Sequence, residues 1–268
     1  DIHTHVFPEK IAFRALTVLQ EKSHGLPFFT NGSHSGLLSK AEESSYTGML
    51  NVPVATSPEQ MESVNDWVAS WSKFPLLSFG SIHPAAPNAV AELHRIKSLQ
   101  LQGIKLHPEY QSFHILEKRL EKVWETCQEL DIIVLCHAGN DIAYPEPAQS
   151  QPADFAELSR RYPALQIICA HMGGWRMWDK VEKDLVGSNV YLDTSFALPY
   201  MTEQKQFERI IKAHGSEKIL FGTDSPWQDL HSGVNEILLA DLTEQERENI
   251  FWNNAAKLLN LNQYIDND

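Results

Sequence analysis

The sequence has few cysteines and no long apolar run, and each absence excludes a class of protein. Its 268 residues include only Cys127, Cys136 and Cys169, too few and too irregularly spaced for a disulfide framework or a cysteine-based zinc site. We expect all three to be small, buried apolar residues. No apolar run approaches the roughly 20 residues that cross a bilayer, and no charged-then-apolar leader is visible. The sequence therefore predicts no membrane partner and a cytoplasmic location.

Basic residues are also in the minority. The chain has 22 Lys and Arg against 35 Asp and Glu, a formal net charge of -13 at pH 7. Tight binding to a phosphate backbone relies on clustered cations, so we expect no nucleic acid partner. Hydrophobic residues make up 43% of the chain and charged residues 21%, which is typical of a globular protein with a sizeable core. The length fits one domain, 1–268.

Short apolar runs alternate with longer amphipathic stretches along the whole chain, without a repeat or a linker. This rhythm is typical of repeated βα units. Eight candidate strands lie at 1–5, 46–55, 76–83, 101–107, 132–138, 165–172, 190–196 and 219–224. Apolar residues at helical spacing follow at 58–73, 117–130, 153–161, 202–214 and 243–259, each able to cover a parallel sheet. The pattern predicts an α/β protein, a single (β/α)₈ barrel, with an open doubly wound sheet as the alternative.

Two long segments, 6–45 and 139–152, follow the carboxyl ends of the first and fifth predicted strands. Loops at this end of a (β/α)₈ barrel carry the active site. We therefore expect both segments to shape a substrate pocket.

His3 and His5 form the strongest short motif. Residues two apart on a strand project to the same side, so both imidazoles can reach one ion. The pair alone would be weak, but His137, His171 and Asp224 each end an apolar run where a parallel strand emerges. Such convergence predicts a metal site at the mouth of a barrel. The same alternation predicts that the Cys169 side chain points inward, as His171 does, and that the Cys136 side chain points outward.

The ordered motifs DIHTHVFP, GIKLHP, CHAG, AHMGG, FGTDSPW and NIFWNNAAKLLNL span almost the whole chain. Together they resemble the amidohydrolase superfamily, and more narrowly its amidohydrolase-2 branch. That branch includes decarboxylases related to aminocarboxymuconate-semialdehyde decarboxylase as well as many hydrolases. The resemblance implies a TIM-barrel enzyme with one divalent metal ion, Zn²⁺ in the first place and Mn²⁺ as the alternative. It also leaves a homodimer open.

The metal ligands implied by the resemblance are His3, His5, His137 and Asp224, with His171 as the nearby acid or base. Imidazoles and a carboxylate suit Zn²⁺, which lowers the pKa of a bound water toward ~7. Asp224 would accept the proton of that water, and His171 would stabilise the oxyanion or protonate a leaving group.

Two reactions fit this machinery. The first is hydrolysis of an ester, lactone or amide of a small, carboxylated molecule. The second is a non-oxidative decarboxylation, in which the metal orients a carboxylate and a His or Asp protonates the carbon that loses CO₂. We favour the hydrolase, because the decarboxylases of the branch are usually longer. A barrel that only binds a metabolite is disfavoured, since no ligand or base is missing.

Lys105 leaves the number of metal ions open. If its side chain were carboxylated, Lys105 would bridge two metal ions, and His171 would be a ligand of the second ion. If it were unmodified, Lys105 would pair with an anionic group of the substrate. We favour one ion, as the resemblance implies.

Several further side chains are candidates for substrate binding. They are Lys105, His107, His83, Trp175, Arg176 and Trp227. His107 and His83 each precede a proline and could have a local capping role instead. Arg176 could instead be a solvated residue in the first turn of a helix. Asp193 is expected to be structural, and the acidic stretch 241–248 to be the capped start of the last helix.

Overall fold

The computed structural model describes residues 1–264 as short strands alternating with helices. The strands are β1 (Met49–Asn51), β2 (Leu76–Ser78), β3 (Gly80–Ser81), β4 (Gly103–Leu106), β5 (Ile133–Cys136), β6 (Ile167–Cys169), β7 (Tyr191–Asp193) and β8 (Ile219–Leu220). The α-helices are α1 (Ala12–Lys22), α2 (His34–Glu43), α3 (Met61–Ala69), α4 (Ala89–Ser98), α5 (Pro108–Gln111), α6 (Glu121–Glu129), α7 (Pro152–Arg161), α8 (Trp178–Lys180), α9 (Gln204–His214), α10 (Leu230–Leu239), α11 (Glu244–Glu248) and α12 (Asn254–Leu258).

The chain divides into two compact units. The first comprises Asp1–Asn51, Lys73–Leu77 and the chain from Asp193 onward, and the second comprises Val52–Ser72 and Ser78–Leu192. The single domain predicted for 1–268 stays a prediction.

The second unit is built on consecutive parallel strands. β3 pairs with β4, β4 with β5, β5 with β6 and β6 with β7, in chain order. Lys105 stands beside Leu135 in the register of β4 and β5, and every residue of both strands is buried. Burial on both faces explains why these strands are continuous apolar runs in the sequence. Parallel pairing brings the carboxyl ends of the strands to one edge.

Amphipathic helices cover this sheet in the second unit. α7 begins with Pro152 at its first position, and Gln151 and Asp154 form a capping box around that turn. Phe155 and Leu158, three residues apart, are both 0% exposed. A helix that buries such a stripe is stabilised by tertiary packing more than by its own propensity.

The first predicted strand, 1–5, is reduced in the first unit to isolated parallel bridges from Thr4 to Asn51 and to Ser225. The Thr4 N–H donates to Leu50 O at 3.0 Å, and the His5 N–H donates to Ser225 O at 2.6 Å. The segment therefore pairs alternately with two chain segments and forms no continuous ladder with either. β1, β2 and β8 are likewise shorter than predicted.

Helices of the first unit follow the predicted periodicity. α9 buries Phe207, Ile210, Ile211 and His214, and it ends at Gly215 in a left-handed conformation, φ 99°. The last predicted helix is instead divided into α11 and α12 by a π turn, Asn249–Asn253. Its predicted capped start is confirmed, because Thr243 and Glu246 form a capping box.

The long segment 6–45 also folds within the first unit. It contains α1 and α2, whose Leu16 and Leu37 are 0% exposed. A parallel bridge joins Phe7 to Ser33, and the Ser33 hydroxyl caps α2 by accepting the Gly36 N–H.

Cys127, Cys136 and Cys169 are free and buried, as predicted. Among residues 1–264, no helix is long and apolar enough to cross a membrane.

Candidate active site

His3, His5 and Asp224 lie together in the first unit, and we call them the His3 cluster. The Asp224 Oδ1 atom is 3.0 Å from His5 Nε2 and 3.4 Å from His3 Nε2. One possible ligand atom from each residue lies within 4.8 Å of the other two. This part of the predicted metal set is therefore assembled.

Backbone contacts hold the His3 cluster in place. The Asp224 N–H donates to His3 O at 2.8 Å, so the carboxyl end of the eighth βα unit is tied to the start of the chain. Asp224 has a left-handed backbone, φ 63°, which is uncommon for a residue other than glycine and is concentrated at functional sites. Nearby, the Thr223 hydroxyl donates to Asp1 Oδ2 at 2.6 Å.

Asp193 supports His3 from the other side of its ring. Asp193 Oδ2 lies 2.8 Å from His3 Nδ1, and Ser195 Oγ lies 2.9 Å from the same nitrogen. All three residues are at most 1% exposed. A carboxylate at Nδ1 keeps a proton on that nitrogen and turns the Nε2 lone pair toward Asp224, the arrangement that metal-binding histidines use.

Asp193 was predicted to be structural, and its position behind a metal-ligand candidate was missed. A signal was available, because Asp193 ends its apolar run as Asp224 does. The side of β7 to which the Asp193 side chain points was the information needed to place it beside the site.

The His3 cluster fits a divalent metal ion. Metal–ligand distances of ~2.0–2.2 Å place neighbouring donors roughly 3–3.5 Å apart. The separations of 3.0 Å and 3.4 Å from Asp224 Oδ1 to the two imidazoles match that requirement. Two imidazoles and one carboxylate suit Zn²⁺, Mn²⁺ and Fe²⁺ alike, so the donors do not select among these ions.

His107, His137 and Asp141 form a second group of possible ligands, in the second unit, which we call the His107 cluster. The His107 and His137 rings stack with centroids 4.1 Å apart and an angle of 12°. His107 Nε2 lies 3.4 Å from Asp141 Oδ2. Tyr110 covers the His107 ring as well, at 4.1 Å between centroids.

Glu109 lies beside the His107 cluster. Its Oε1 atom accepts the Gln149 N–H at 2.8 Å, and its Oε2 atom lies 3.8 Å from His107 Nδ1. Burial raises the pKa of Glu109 to about 7, opposed in part by backbone N–H groups. This residue was not predicted, because a glutamate after GIKLHP looks like an ordinary first-turn helix residue.

His137 is held at both ring nitrogens. Its Nδ1 atom lies 3.0 Å from His171 Nε2, and its Nε2 atom lies 3.0 Å from the Asn140 carbonyl. The carbonyl can only accept, so Nε2 donates and Nδ1 is left as the acceptor. Burial, together with the charges of His107 and His171, holds the pKa of His137 well below its usual range. His137 is therefore in the neutral form that binds metals.

The contact between His171 and His137 does not follow from strand alternation. Cys136 and Cys169 are register partners across β5 and β6, so they share one side of the sheet. The predicted opposite parities of these cysteines are therefore wrong. His171 lies beyond the end of β6 with a left-handed backbone, φ 58°, which breaks the two-residue alternation.

The remaining predicted residues have different surroundings. Lys105 is 1% exposed on β4. His83 is engaged locally, since its Nδ1 accepts the Ala85 N–H at 3.2 Å, and burial lowers its pKa. The Arg176 guanidinium lies 4.5 Å from the centroid of the Trp175 ring, and Arg176 is exposed. In the first unit, the Trp227 N–H donates to Asp224 O at 2.9 Å.

Strand-end histidines and carboxylates on an α/β fold define a class of metal-binding enzyme, and comparison with known proteins identifies the family. The amidohydrolase family model matches residues 1–261, and the chain belongs to this family. The predicted resemblance is confirmed.

The curated and solved relatives include decarboxylases. A γ-resorcylate decarboxylase from Polaromonas sp. (strain JS666 / ATCC BAA-500) is 27% identical over an alignment of 184 residues, with a coverage of 52% of this chain and 54% of the relative. The chain thus matches about half the length of that relative. The structure of 5-carboxyvanillate decarboxylase from Sphingomonas paucimobilis has a TM-score of 0.74 at 16% identity, covering 97% of this chain and 98% of that one.

A second similar structure contains a metal. The dihydroxybenzoic acid decarboxylase from Polaromonas sp. JS666, with bound manganese and the inhibitor 2-nitroresorcinol, has a TM-score of 0.69 at 19% identity, covering 97% of each chain. Likeness over nearly the whole chain confirms the predicted fold, an amidohydrolase-type (β/α)₈ barrel.

Two predictions need correction. Hydrolysis as the main activity is contradicted, because these relatives are decarboxylases. The prediction failed because one ligand set serves both reactions, and chain length, which decided between them, has no bearing on the chemistry. A divalent ion is supported, but the solved relative holds manganese where we predicted zinc first.

Proposed function

We propose that this protein is a metal-dependent, non-oxidative decarboxylase of a small hydroxylated aromatic acid. The observation that carries the proposal is the likeness to decarboxylases of such acids over nearly the full chain. The His3 cluster adds a donor set that fits the divalent ion this chemistry uses.

His3, His5 and Asp224 would hold the ion, and His137 remains the fourth ligand expected from the CHAG motif. When bound, the ion would supply positive charge that favours binding of the negatively charged substrate. Mn²⁺ is the ion we would supply first, because a solved relative contains it. Zn²⁺ suits the same donors.

The reaction exchanges CO₂ for a proton on one ring carbon. The carbon that carries the carboxylate accepts a proton, its bond to the carboxylate breaks, and CO₂ leaves with no net oxidation. An electron-donating hydroxyl group on the ring makes that carbon basic enough to be protonated. The protein therefore has to deliver one proton from solvent to that carbon.

We assign proton delivery to Asp224. The side chains of Asp224 and His5 are 13% and 18% exposed, whereas that of His3 is 1% exposed. Solvent and substrate can therefore reach Asp224 and His5, and of these two we assign the proton to the carboxyl group. His171, hydrogen-bonded to His137, would orient the substrate or share the proton. General acid catalysis of this kind contributes ~10²–10⁴-fold to a rate.

The test is direct. Purified protein is loaded with Mn²⁺ and incubated with γ-resorcylate or 5-carboxyvanillate, and released CO₂ and the ring product are quantified. We expect equal amounts of both, with one deuterium on the vacated carbon in D₂O. Asp224→Asn should lower the rate by about 100-fold or more.

Asp241→Asn is the matched control. Asp241 lies in the same unit, pairs with Lys212 on the surface and has a side chain that is 86% exposed. It should retain the wild-type rate. Folded, metal-loaded protein that releases no CO₂ from any hydroxylated benzoate would overturn the proposal.

A further inference from the structure

The turn that follows β7 carries both side chains that support His3, and we call residues 193–196 the β7 turn. Asp193 Oδ2 lies 2.8 Å from His3 Nδ1, and Ser195 Oγ lies 2.9 Å from the same nitrogen. The Ser195 N–H donates to Asp193 Oδ1 at 3.0 Å, and the Ser195 hydroxyl donates to the same oxygen. The position of Ser195 therefore orients the Asp193 carboxylate as well as contacting His3 directly.

Phe196 ends the β7 turn in a backbone conformation that its side chain disfavours. Its backbone is left-handed, φ 50°, and the residue is 8% exposed. A bulky residue rarely adopts this conformation, which persists only where surrounding contacts hold it. The end of the β7 turn therefore needs a contact that fixes it.

Gln228 supplies that contact. Its Oε1 atom accepts the Phe196 N–H at 3.1 Å, and its Nε2 atom donates to Glu236 Oε1 on α10. A backbone N–H can only donate, so the amide oxygen has to face Phe196 and the amide nitrogen has to face Glu236. Gln228 is buried, and both ends of its amide are engaged. Glu236 thus holds the Gln228 side chain in the orientation that Phe196 requires.

The start of the β7 turn is fixed separately. The Thr194 N–H donates to Leu220 O at 3.0 Å, and the Thr194 hydroxyl donates to Gly222 O at 3.0 Å. Ser195 lies between this anchor and the one that Gln228 provides at Phe196. Removing the Gln228 amide would therefore leave Thr194 in place and release the end of the turn next to Ser195.

We propose that Gln228 is a positioning residue of the metal site, which acts on His3 through Ser195 and Asp193 and is itself oriented by Glu236. The residues behind a metal-binding imidazole fix its orientation and its strength as a ligand. The inference rests on the metal site of the proposed function and not on the reaction, because metal binding is measured without substrate.

Mn²⁺ titration of the full chain tests the proposal, with free Mn²⁺ followed by its electron paramagnetic resonance signal. Gln228→Met keeps the length of the side chain and removes both hydrogen bonds, so the dissociation constant for Mn²⁺ should rise about tenfold. Glu236→Met frees the Gln228 amide without altering the β7 turn, and it should raise the constant by a smaller factor. Glu236→Gln keeps an oxygen that accepts the Gln228 N–H, and it should bind Mn²⁺ as the wild type does.

Gln204→Met is the matched control. Gln204 is exposed at the start of α9 in the same unit, and this variant should also bind Mn²⁺ as the wild type does. Melting temperatures are recorded for every variant, because loss of a buried hydrogen bond by itself lowers stability.

A double-mutant cycle separates positioning of His3 from a general effect on the fold. Because Gln228 acts through Asp193, Gln228→Met should weaken Mn²⁺ binding much less in an Asp193→Asn background than in the wild type.

Two results would overturn the proposal. One is a Gln228→Met variant that melts at a lower temperature but binds Mn²⁺ as tightly as the wild type, since Gln228 would then only stabilise the fold. The other is an equal loss of affinity in the wild-type and Asp193→Asn backgrounds. A wild-type chain that binds no Mn²⁺ would overturn this proposal and the proposed metal site together. Failure of the decarboxylase assay with Mn²⁺ bound would count against the proposed function alone.

Discussion

At the scale of single residues, metal binding depends on side chains that lie behind the predicted ligands. Asp193 contacts His3 Nδ1 at 2.8 Å with both residues buried. Its negative charge fixes the tautomer and makes Nε2 a stronger donor to a metal. The orientation of His3 is thus decided by a residue from another strand.

Asp193→Asn tests this support. Asparagine keeps the size of the side chain and removes the charge, so we expect Mn²⁺ affinity at the His3 cluster to fall about 10–100-fold. The measurement is Mn²⁺ titration of the full chain. The melting temperature is recorded in parallel to confirm folding.

The same Asp241→Asn surface variant is the control for removing one carboxylate. It should bind Mn²⁺ as tightly as the wild type. Affinity for Mn²⁺ within about twofold of the wild type in Asp193→Asn would show that Asp193 only packs against His3.

At the scale of elements, the turns that follow the strands place the functional groups. Gly139 lies two residues after His137 with φ 86° and forms a parallel bridge with Trp175. A Cβ at Gly139 would lie 2.3 Å from the Trp175 backbone nitrogen. Only glycine allows this close approach of two backbone segments.

Gly139→Ala should therefore destabilise the protein more than a left-handed backbone alone explains. Gly187 is the matched control, because its φ is 81° and a Cβ there would meet nothing within 4 Å. We expect a loss of about 1 kcal/mol for Gly187→Ala and about 3 kcal/mol or more for Gly139→Ala. Urea unfolding measures both. Equal losses of unfolding free energy in the two variants would show that the Trp175 backbone moves away from the added methyl group without loss of stability.

At the scale of the whole molecule, metal binding is coupled to stability. The chain carries a net charge of -13, and carboxylates contribute to both clusters. An ion that binds the folded state and not the unfolded chain stabilises the protein by mass action. Removing the ion should therefore lower the melting temperature without changing the sequence.

We expect chelator-treated protein to gain roughly 5–10 °C in melting temperature when Mn²⁺ is added at about 100 times its dissociation constant. A His3→Ala, His5→Ala double variant should gain less than about 2 °C. Differential scanning calorimetry provides the measurement. An equal gain in the double variant would place the ion elsewhere.

Much of the fold could be predicted from the sequence. Seven of the eight predicted strands contain observed strand residues, because buried parallel strands are continuous apolar runs. The first, 1–5, is held only by the bridges of Thr4. The helix at 202–214 was predicted to within two residues at its start, since its apolar positions recur at helical spacing.

The site could be predicted only in part. His3, His5 and Asp224 were found because histidines two residues apart and a strand-end aspartate are visible as motifs. Asp193 and Glu109 were not found. The role of Asp193 comes from contact with an imidazole distant in sequence, and that of Glu109 comes from its burial. The opposite parities of Cys136 and Cys169 were predicted wrongly, because the left-handed backbone of His171 breaks the alternation that was used to place Cys169.

The sequence by itself determined the family, the order of strands and helices, and the residue types able to hold a metal, because motif spacing and hydrophobic periodicity are local properties. Hydrolase and decarboxylase share that local pattern, so comparison with relatives was needed to favour one reaction. Only the tertiary structure decided which carboxylate stands behind which imidazole. Those contacts join residues as far apart as His3 and Asp193, and they depend on register and backbone conformation that no local pattern encodes.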